Sequence, residues 1–264
     1  MTNHTTRAVD IPDETSALVL GARLAALPRL EDRLIAIAAA IPGRLAFSTS
    51  LGLEDQAILH AIADTAVAVD VFTLDTGRLF PETLETLDAS IRRYGVPIRV
   101  VTPEAPALEA LVARDGVLGF RHSIDARKAC CHVRKVAPLT RALAGAAGWI
   151  TGLRQGQAAT RTTVPFATWD ANLGLIKVNP IADWSLDDLE AYLERHDVPV
   201  NALHAQGFPS IGCQPCTRAI KPGEDIRAGR WWWENADGRE CGLHNRPANT
   251  QPADKPAANQ RVPS

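Results

Sequence analysis

Arg44-Leu45-Ala46-Phe47-Ser48-Thr49-Ser50-Leu51-Gly52-Leu53-Glu54-Asp55 is the stretch that decides the fold. Arg44 to Thr49 is a short apolar run of strand length, a small polar loop follows, and Glu54 opens a helix-like stretch to Ala63. The same alternation recurs outward from it. Ala66 to Leu74 reads as a β-branched strand. Pro81 to Tyr94 reads as a helix, with proline at its start and Leu84, Leu87 and Ile91 at helical spacing. Ile98 to Val101 is a third strand, Ala107 to Arg114 a helix and Trp149 to Thr151 a fourth strand. Upstream, Ser16 to Ile41 reads as helical with a break near Pro28. Downstream, Ser185-Leu186-Asp187-Asp188-Leu189-Glu190 has the pattern of a helix N-cap, the helix running to about His196. Strands alternating with helices imply βαβ units. The expected fold class is therefore α/β, a doubly wound, mostly parallel sheet with helices on both faces, followed by an irregular C-terminal segment.

The 264 residues, 46% of them hydrophobic, suffice for one large domain with a buried core. The expected organisation is a flexible lead-in over residues 1–15 and a single domain over residues 16–244, with a Cys-rich catalytic segment at 205–244. A disordered tail over residues 245–264 completes it. With 28 Lys+Arg against 30 Asp+Glu the net charge is -2, which argues against a chain-wide nucleic-acid surface but allows a local basic pocket. No apolar run approaches the ~20 residues that span a bilayer. The first residues also lack the order of a secretory signal. A soluble, cytoplasmic protein with no membrane and no nucleic-acid partner is expected.

Ser48 to Asp55 sits where a strand hands over to a helix, and in an open parallel sheet that is where ligands bind. Helix N–H groups attract anions there, and Ser48, Ser50 and Gly52 would let one approach the backbone. A serine-rich turn with an N-cap is an equal reading of these residues alone. No Gly-Lys-Ser/Thr follows, so this is not a Walker loop. A second strand-end loop, Asp75-Thr76-Gly77-Arg78, suggests with the first an adenine nucleotide pocket.

The five cysteines are Cys130, Cys131, Cys213, Cys216 and Cys241. Their clustering in the second half argues for metal ligation or catalysis rather than disulfides. Cys213-x-x-Cys216 is a half-site for zinc or iron–sulfur. The adjacent pair Cys130-Cys131 suits a multi-iron cluster better than one tetrahedral ion, with zinc as the alternative. Lys128, Arg134 and Lys135 flank the pair, Arg154 and Arg161 follow the fourth strand, and Arg218, Lys221, Arg227 and Arg230 follow Cys216. That concentration favours a pocket for a multiply anionic substrate. Cys241, in Glu240-Cys241-Gly242-Leu243-His244, reads either as an inert thiol or as a nucleophile that His244 could assist. Trp231-Trp232-Trp233 reads first as packing of the C-terminal segment onto the domain.

These motifs, in this order over about residues 45–245, resemble the bacterial assimilatory adenosine 5′-phosphosulfate (APS) reductases of the wider phosphosulfate reductase group. The resemblance implies a fold of the adenine nucleotide alpha hydrolase type. It implies reduction of APS to sulfite and AMP in sulfate assimilation, with thioredoxin or a related dithiol reductant as partner. By the same resemblance, Cys130, Cys131, Cys213 and Cys216 hold a [4Fe–4S] cluster and Lys135 stands between cluster and substrate. Cys241 is then the nucleophile, forming a thiosulfonate, with His244 beside it. Ser48, Ser50, Gly52, Glu54, Asp55, Asp75, Thr76, Gly77, Arg154, Arg161, Arg227 and Arg230 are the expected substrate contacts. Homo-oligomerisation is left open. The loop departs from the Ser-Gly-Gly-x-Asp-Ser form of related pyrophosphatase-type enzymes, which weakens any expectation of ATP cleavage. The rival readings are a 3′-phosphoadenosine 5′-phosphosulfate (PAPS) reductase and an iron–sulfur tRNA-thiolating transferase. Both cysteine pairs speak against the first, and the missing loop form and net charge against the second.

Overall fold

A computed structural model describes residues 13–157 and 163–234. Helix α1 (Glu14–Ala25) is capped by the Asp13 side chain, which accepts from Ser16 N–H, and α2 (Leu30–Ala40) follows the break at Pro28. Strand β1 (Leu45–Thr49) leads into α3 (Leu53–Thr65), β2 (Asp70–Leu74) into α4 (Pro81–Tyr94), and β3 (Ile98–Val101) into α5 (Ala105–Asp115). The α4 boundaries are those expected: proline supplies the first turn, and Gly95 at φ 62 ends the helix in the left-handed region. The expected second strand is shortened, because Ala66 takes a left-handed φ of 52 to close α3 and pairing starts only at Asp70.

Two parts were not anticipated. Residues 124–143 form one rod made of α6 (Ile124–Cys131), a π-helical turn over His132–Val136 and α7 (Ala137–Leu143). Pro138 explains the widened turn. It has no N–H to offer the Arg134 carbonyl and its ring crowds that carbonyl, and Ala137 N–H bonds to His132 one residue further back. After β4 (Gly148–Ile150), a hairpin of β5 (Ala167–Asp170) and β6 (Leu175–Val178) turns on Asp170, whose carboxylate accepts from Asn172 and Leu173 N–H, and on Gly174 at φ 63. Helix α8 (Leu186–Arg195) opens with a full capping box between Ser185 and Asp188.

The sheet order is β3-β2-β1-β4-β6-β5, parallel throughout except for β5, which pairs antiparallel with β6 at the edge. Both faces are covered, and the strands show it residue by residue. Phe47, Val71, Ile150 and Ile176 point into a core shared with α1, α2, α3 and α8. Their neighbours Ala46, Phe72, Trp149 and Leu175 point into a second core with α7. The chain leaves β1 towards β2 and β3, then returns to place β4 on the other side of β1. That reversal opens a crevice at the carboxyl ends of β1 and β4. No helix among the described residues is long and apolar enough to cross a membrane.

Candidate functional site

The crevice is a cavity of about 380 Å³. Its floor is the β1–α3 loop. Leu51 holds a left-handed φ of 62, which costs a leucine about 1–2 kcal/mol, and its side chain is driven fully into the core while its N–H donates to Thr49 Oγ1. The kink aims the first turn of α3 at the cavity, with Gly52, Glu54 and Asp55 in its wall. Asp55 is buried and accepts from the N–H and the hydroxyl of Ser50, each at 2.6 Å. Burial pushes its carboxyl up to about 6, with the Ser50 bonds opposing and the Glu54 charge adding. Ser48 accepts from Trp149 Nε1 at 2.8 Å. Arg154, also buried, donates through Nε to Glu54 Oε1 at 2.9 Å, so this arginine enters the wall already paired.

Ser48, Ser50, Gly52, Glu54, Asp55, Thr76, Lys135, Arg154, Arg227 and Arg230 all line the cavity. Asp75 and Gly77 do not, and shape their loop instead. Gly77 N–H bonds to Asp75 Oδ1 at 2.8 Å, and Gly77 takes the φ of 68 that the turn requires. Cys241, His244 and Arg161 lie outside the described residues, as do the lead-in up to residue 12 and the tail. His204, Trp149, Glu190 and Ser210 line the cavity without having been anticipated. Their signal is faint: each is a single polar or aromatic residue at a strand end, in a helix, or in the irregular run before Cys213.

The two cysteine pairs, 82 positions apart at their nearest members (Cys131 and Cys213), come together in space. Cys130, Cys131, Cys213 and Cys216 are free thiols in one patch with Phe120, Trp231 and Trp233. Several contacts assemble it. Gln214 N–H donates to the Arg78 carbonyl, and Trp231 N–H to the Cys216 carbonyl. Arg127, wholly buried in α6, bonds Glu234 at 2.7 Å and stacks on the Trp231 ring at 4.6 Å. Trp231 is thus a packing residue, Trp233 leans on Phe120, and Trp232 is partly exposed. Among the described residues no three His, Cys, Asp or Glu side chains stand close enough to hold one metal ion. What the patch offers is four thiols packed against Phe120, Trp231 and Trp233.

Charge differentiates these thiols. Burial pushes Cys213 up, but Lys135, the Thr76 hydroxyl, Arg230 and Arg134 outweigh it and the net shift is downward. Burial pushes Cys216 up to about 12, with Cys213 and Cys131 adding, and raises Cys130 as well. Lys135, carried on the π-helical turn, both lines the cavity and bears on Cys213. The buried Arg230 sits against Gly212, where a Cβ would fall on its guanidinium. One end of the cavity is therefore cationic and abuts the thiols, while the Glu54 end is not.

Residues 44–219 match the phosphoadenosine phosphosulfate reductase domain family. The chain is 53% identical to the adenosine 5′-phosphosulfate reductase of Agrobacterium fabrum over 218 residues, 83% of this chain and 84% of that one. It is 52% identical to the protein of that name from Sinorhizobium fredii over 231 residues, 88% and 91% of the two chains. A crystal structure of a phosphoadenylyl-sulfate reductase from Candida auris shares the fold, with a TM-score of 0.67 at 24% identity over 79% of this chain and 98% of that one. That fold is the adenine nucleotide alpha hydrolase type expected. Matched by the family model over two thirds of its length and more than half identical to named relatives over the aligned residues, the chain belongs to the adenosine 5′-phosphosulfate reductases of the phosphoadenosine phosphosulfate reductase family.

Proposed function

We propose that the chain reduces adenosine 5′-phosphosulfate to sulfite and AMP in sulfate assimilation, with thioredoxin or a related dithiol protein supplying two electrons. The observation that carries this reading is the double position of Lys135, in the cavity wall and beside the Cys213 thiol. It gives the cavity a cationic end set against a thiol cluster, as attack of a thiolate on an anionic sulfonyl group requires.

Lys135, Arg227 and Arg230 take the charge of the phosphosulfate, which lowers the repulsion a thiolate meets at an anionic sulfonyl group. Ser48, Ser50, Gly52 and the first turn of α3, with Glu54 and Asp55, hold the nucleotide at the other loop, and the Asp75–Gly77 turn shapes the second. Arg154 and Arg161 complete the substrate contacts. The Cys241 thiolate attacks the sulfur, the new S–S bond forms as the S–O bond to phosphate breaks, and AMP leaves with that bond's electron pair. A reductant thiolate then attacks Cys241 Sγ and sulfite departs with the S–S pair. The reductant's second thiol closes its own disulfide and returns Cys241 as thiolate, assisted by His244.

Cys130, Cys131, Cys213 and Cys216 would hold a [4Fe–4S] cluster, which would tune the charge beside the anion site. What supports this is the donor set alone: four thiols share one patch, and Lys135 bears on Cys213 among them.

The test is sulfite release by anaerobically purified full-length chain given thioredoxin and either APS or PAPS, with iron and sulfide analysed on the same sample. The reading expects a strong preference for APS and about four irons per chain. Preference for PAPS would contradict the substrate, and one zinc without sulfide the cluster. ATP consumption with a tRNA acceptor would replace the whole scheme.

A further inference from the structure

We propose that Glu190 is a specificity-determining residue, whose carboxylate turns away nucleotides that carry a phosphate on the ribose O3′. This rests on the reading of the cavity as a site for adenosine 5′-phosphosulfate, and it names what excludes the 3′-phosphorylated form.

Glu190 stands on α8 one turn after Leu186, and both line the cavity. At helical spacing they run along one edge of the face by which Leu189, Tyr192 and Leu193 hold α8 in the core. The capping box at Ser185 fixes the start of the helix, so that edge is held over the cavity rather than left to swing. Leu186 is 40% exposed, an apolar side chain left open in a cavity wall that Leu53 and Leu153 also line. Such a wall suits the uncharged half of a nucleotide.

The charges around the cavity are sorted. Lys135, Arg227 and Arg230 form the end against the thiols, which takes the phosphosulfate. Among the described residues that line the rest of the cavity, the one Lys or Arg is Arg154, and its Nε already donates to Glu54 Oε1 at 2.9 Å. Asp55 is engaged as well, by the N–H and the hydroxyl of Ser50. Glu190 differs from both acids. It is exposed, and its carboxylate makes no ion pair or hydrogen bond among the described residues. The adenosine half, reaching away from the cationic end, therefore meets a negative charge that no neighbour balances. A ribose hydroxyl is indifferent to that charge or donates to it. A phosphate in its place would bring up to two negative charges against the carboxylate with no cation to receive them. Repulsion of that kind near a protein surface changes affinity several-fold, and a site can select one ligand by repelling its rival.

Calorimetric titration of the full-length protein with AMP and with adenosine 3′,5′-bisphosphate, in a buffer of low ionic strength, tests this. Wild type should bind AMP the more tightly. Glu190→Gln should raise the ratio of bisphosphate to AMP affinity about three- to tenfold, and Glu190→Lys should raise it further. Glu194→Gln, which removes another exposed carboxylate from α8 one turn beyond Glu190, should leave the ratio where it is. An unchanged ratio in both Glu190 variants, or an equal rise in Glu194→Gln, would overturn the proposal, and so would a wild type that binds the two ligands alike. In each of those results wild type still binds AMP, so the nucleotide reading stands. A wild type that binds neither ligand would remove that reading and the role of Glu190 together.

Discussion

Thr76 Oγ1 and Cys213 Sγ lie 3.2 Å apart, which joins the loop after β2 directly to the thiol patch. The same oxygen accepts from Arg78 N–H at 3.2 Å, and Arg134 Nη1 donates to the Thr76 carbonyl. Two motifs that sequence separates by more than a hundred residues are one structural unit here, with Thr76 at its centre and wholly buried.

Thr76→Val should therefore cost about 1–3 kcal/mol, since it strands the Arg78 N–H and removes the contact to Cys213, while Thr76→Ser should cost clearly less. Urea unfolding of both variants checks this. A larger loss in Thr76→Ser than in Thr76→Val would mean that the methyl group, not the hydroxyl, supports the loop.

The buried pair of Arg127 with Glu234 ties the segment after Arg230 to the helix that carries Cys130 and Cys131. Arg127→Met should destabilise the protein by about 3–5 kcal/mol, because the Glu234 carboxylate then loses its buried counter-ion. Combining it with Glu234→Leu should return much of that loss. A double variant as unstable as the single one would show that packing of the Arg127 stem, not charge, holds the segment.

Gly212→Ala tests the place of Arg230. The atoms nearest the added Cβ are those of the buried Arg230 guanidinium, which also donates to the Ile211 carbonyl and stacks on the Trp231 ring, so the melting temperature should fall as the side chain is pushed away. The displaced guanidinium should lower kcat/KM for the phosphosulfate by about tenfold or more. Unchanged kinetics would remove Arg230 from the anion site.

Acid should weaken the fold through His60, whose pKa burial and then the His196 charge hold below the ordinary 6.5. The unfolded chain takes the proton first, so this contribution is complete above pH 6.5 and is lost as pH falls below it; His204 has the same sign. Asp55 runs the other way. Its carboxyl, lifted from 3.8 to about 6, favours the native state fully below pH 3.8 and ceases to do so as pH rises through 6. Below pH 6.5 the two run against each other. Relative to wild type, His60→Gln should remove a loss of denaturant midpoint on acidification, and Asp55→Asn should remove a gain between pH 6 and 4. A His60→Gln profile parallel to wild type would contradict the assignment.

Legibility in the sequence followed the strength of local signals. Pro81, Gly95 and the Ser185–Asp188 box are local devices, and the helices they bound appear where expected. The β5–β6 hairpin was missed because β5, Ala-Thr-Trp-Asp, lacks the apolar or β-branched run that marks the strands found, although Asp170 and Gly174 carry a readable turn signal. The rod around Cys130 was not assigned, and its π-helical turn depends on Pro138 acting on a carbonyl four residues earlier. At the site, clustered residue types announced the thiols and cations. Pairings such as Glu54 with Arg154, or Arg127 with Glu234, join positions about a hundred residues apart, which no local pattern encodes.

The central claim is that a thiolate of this chain displaces AMP from the sulfur, and intact-protein mass spectrometry addresses it without any reductant. Wild-type protein mixed with APS alone should gain the mass of one sulfonate group, mapped to Cys241 and discharged as sulfite when thioredoxin is added. A sulfonate mapped to any other cysteine, or sulfite formed from APS by the Cys241→Ser variant, would contradict the account.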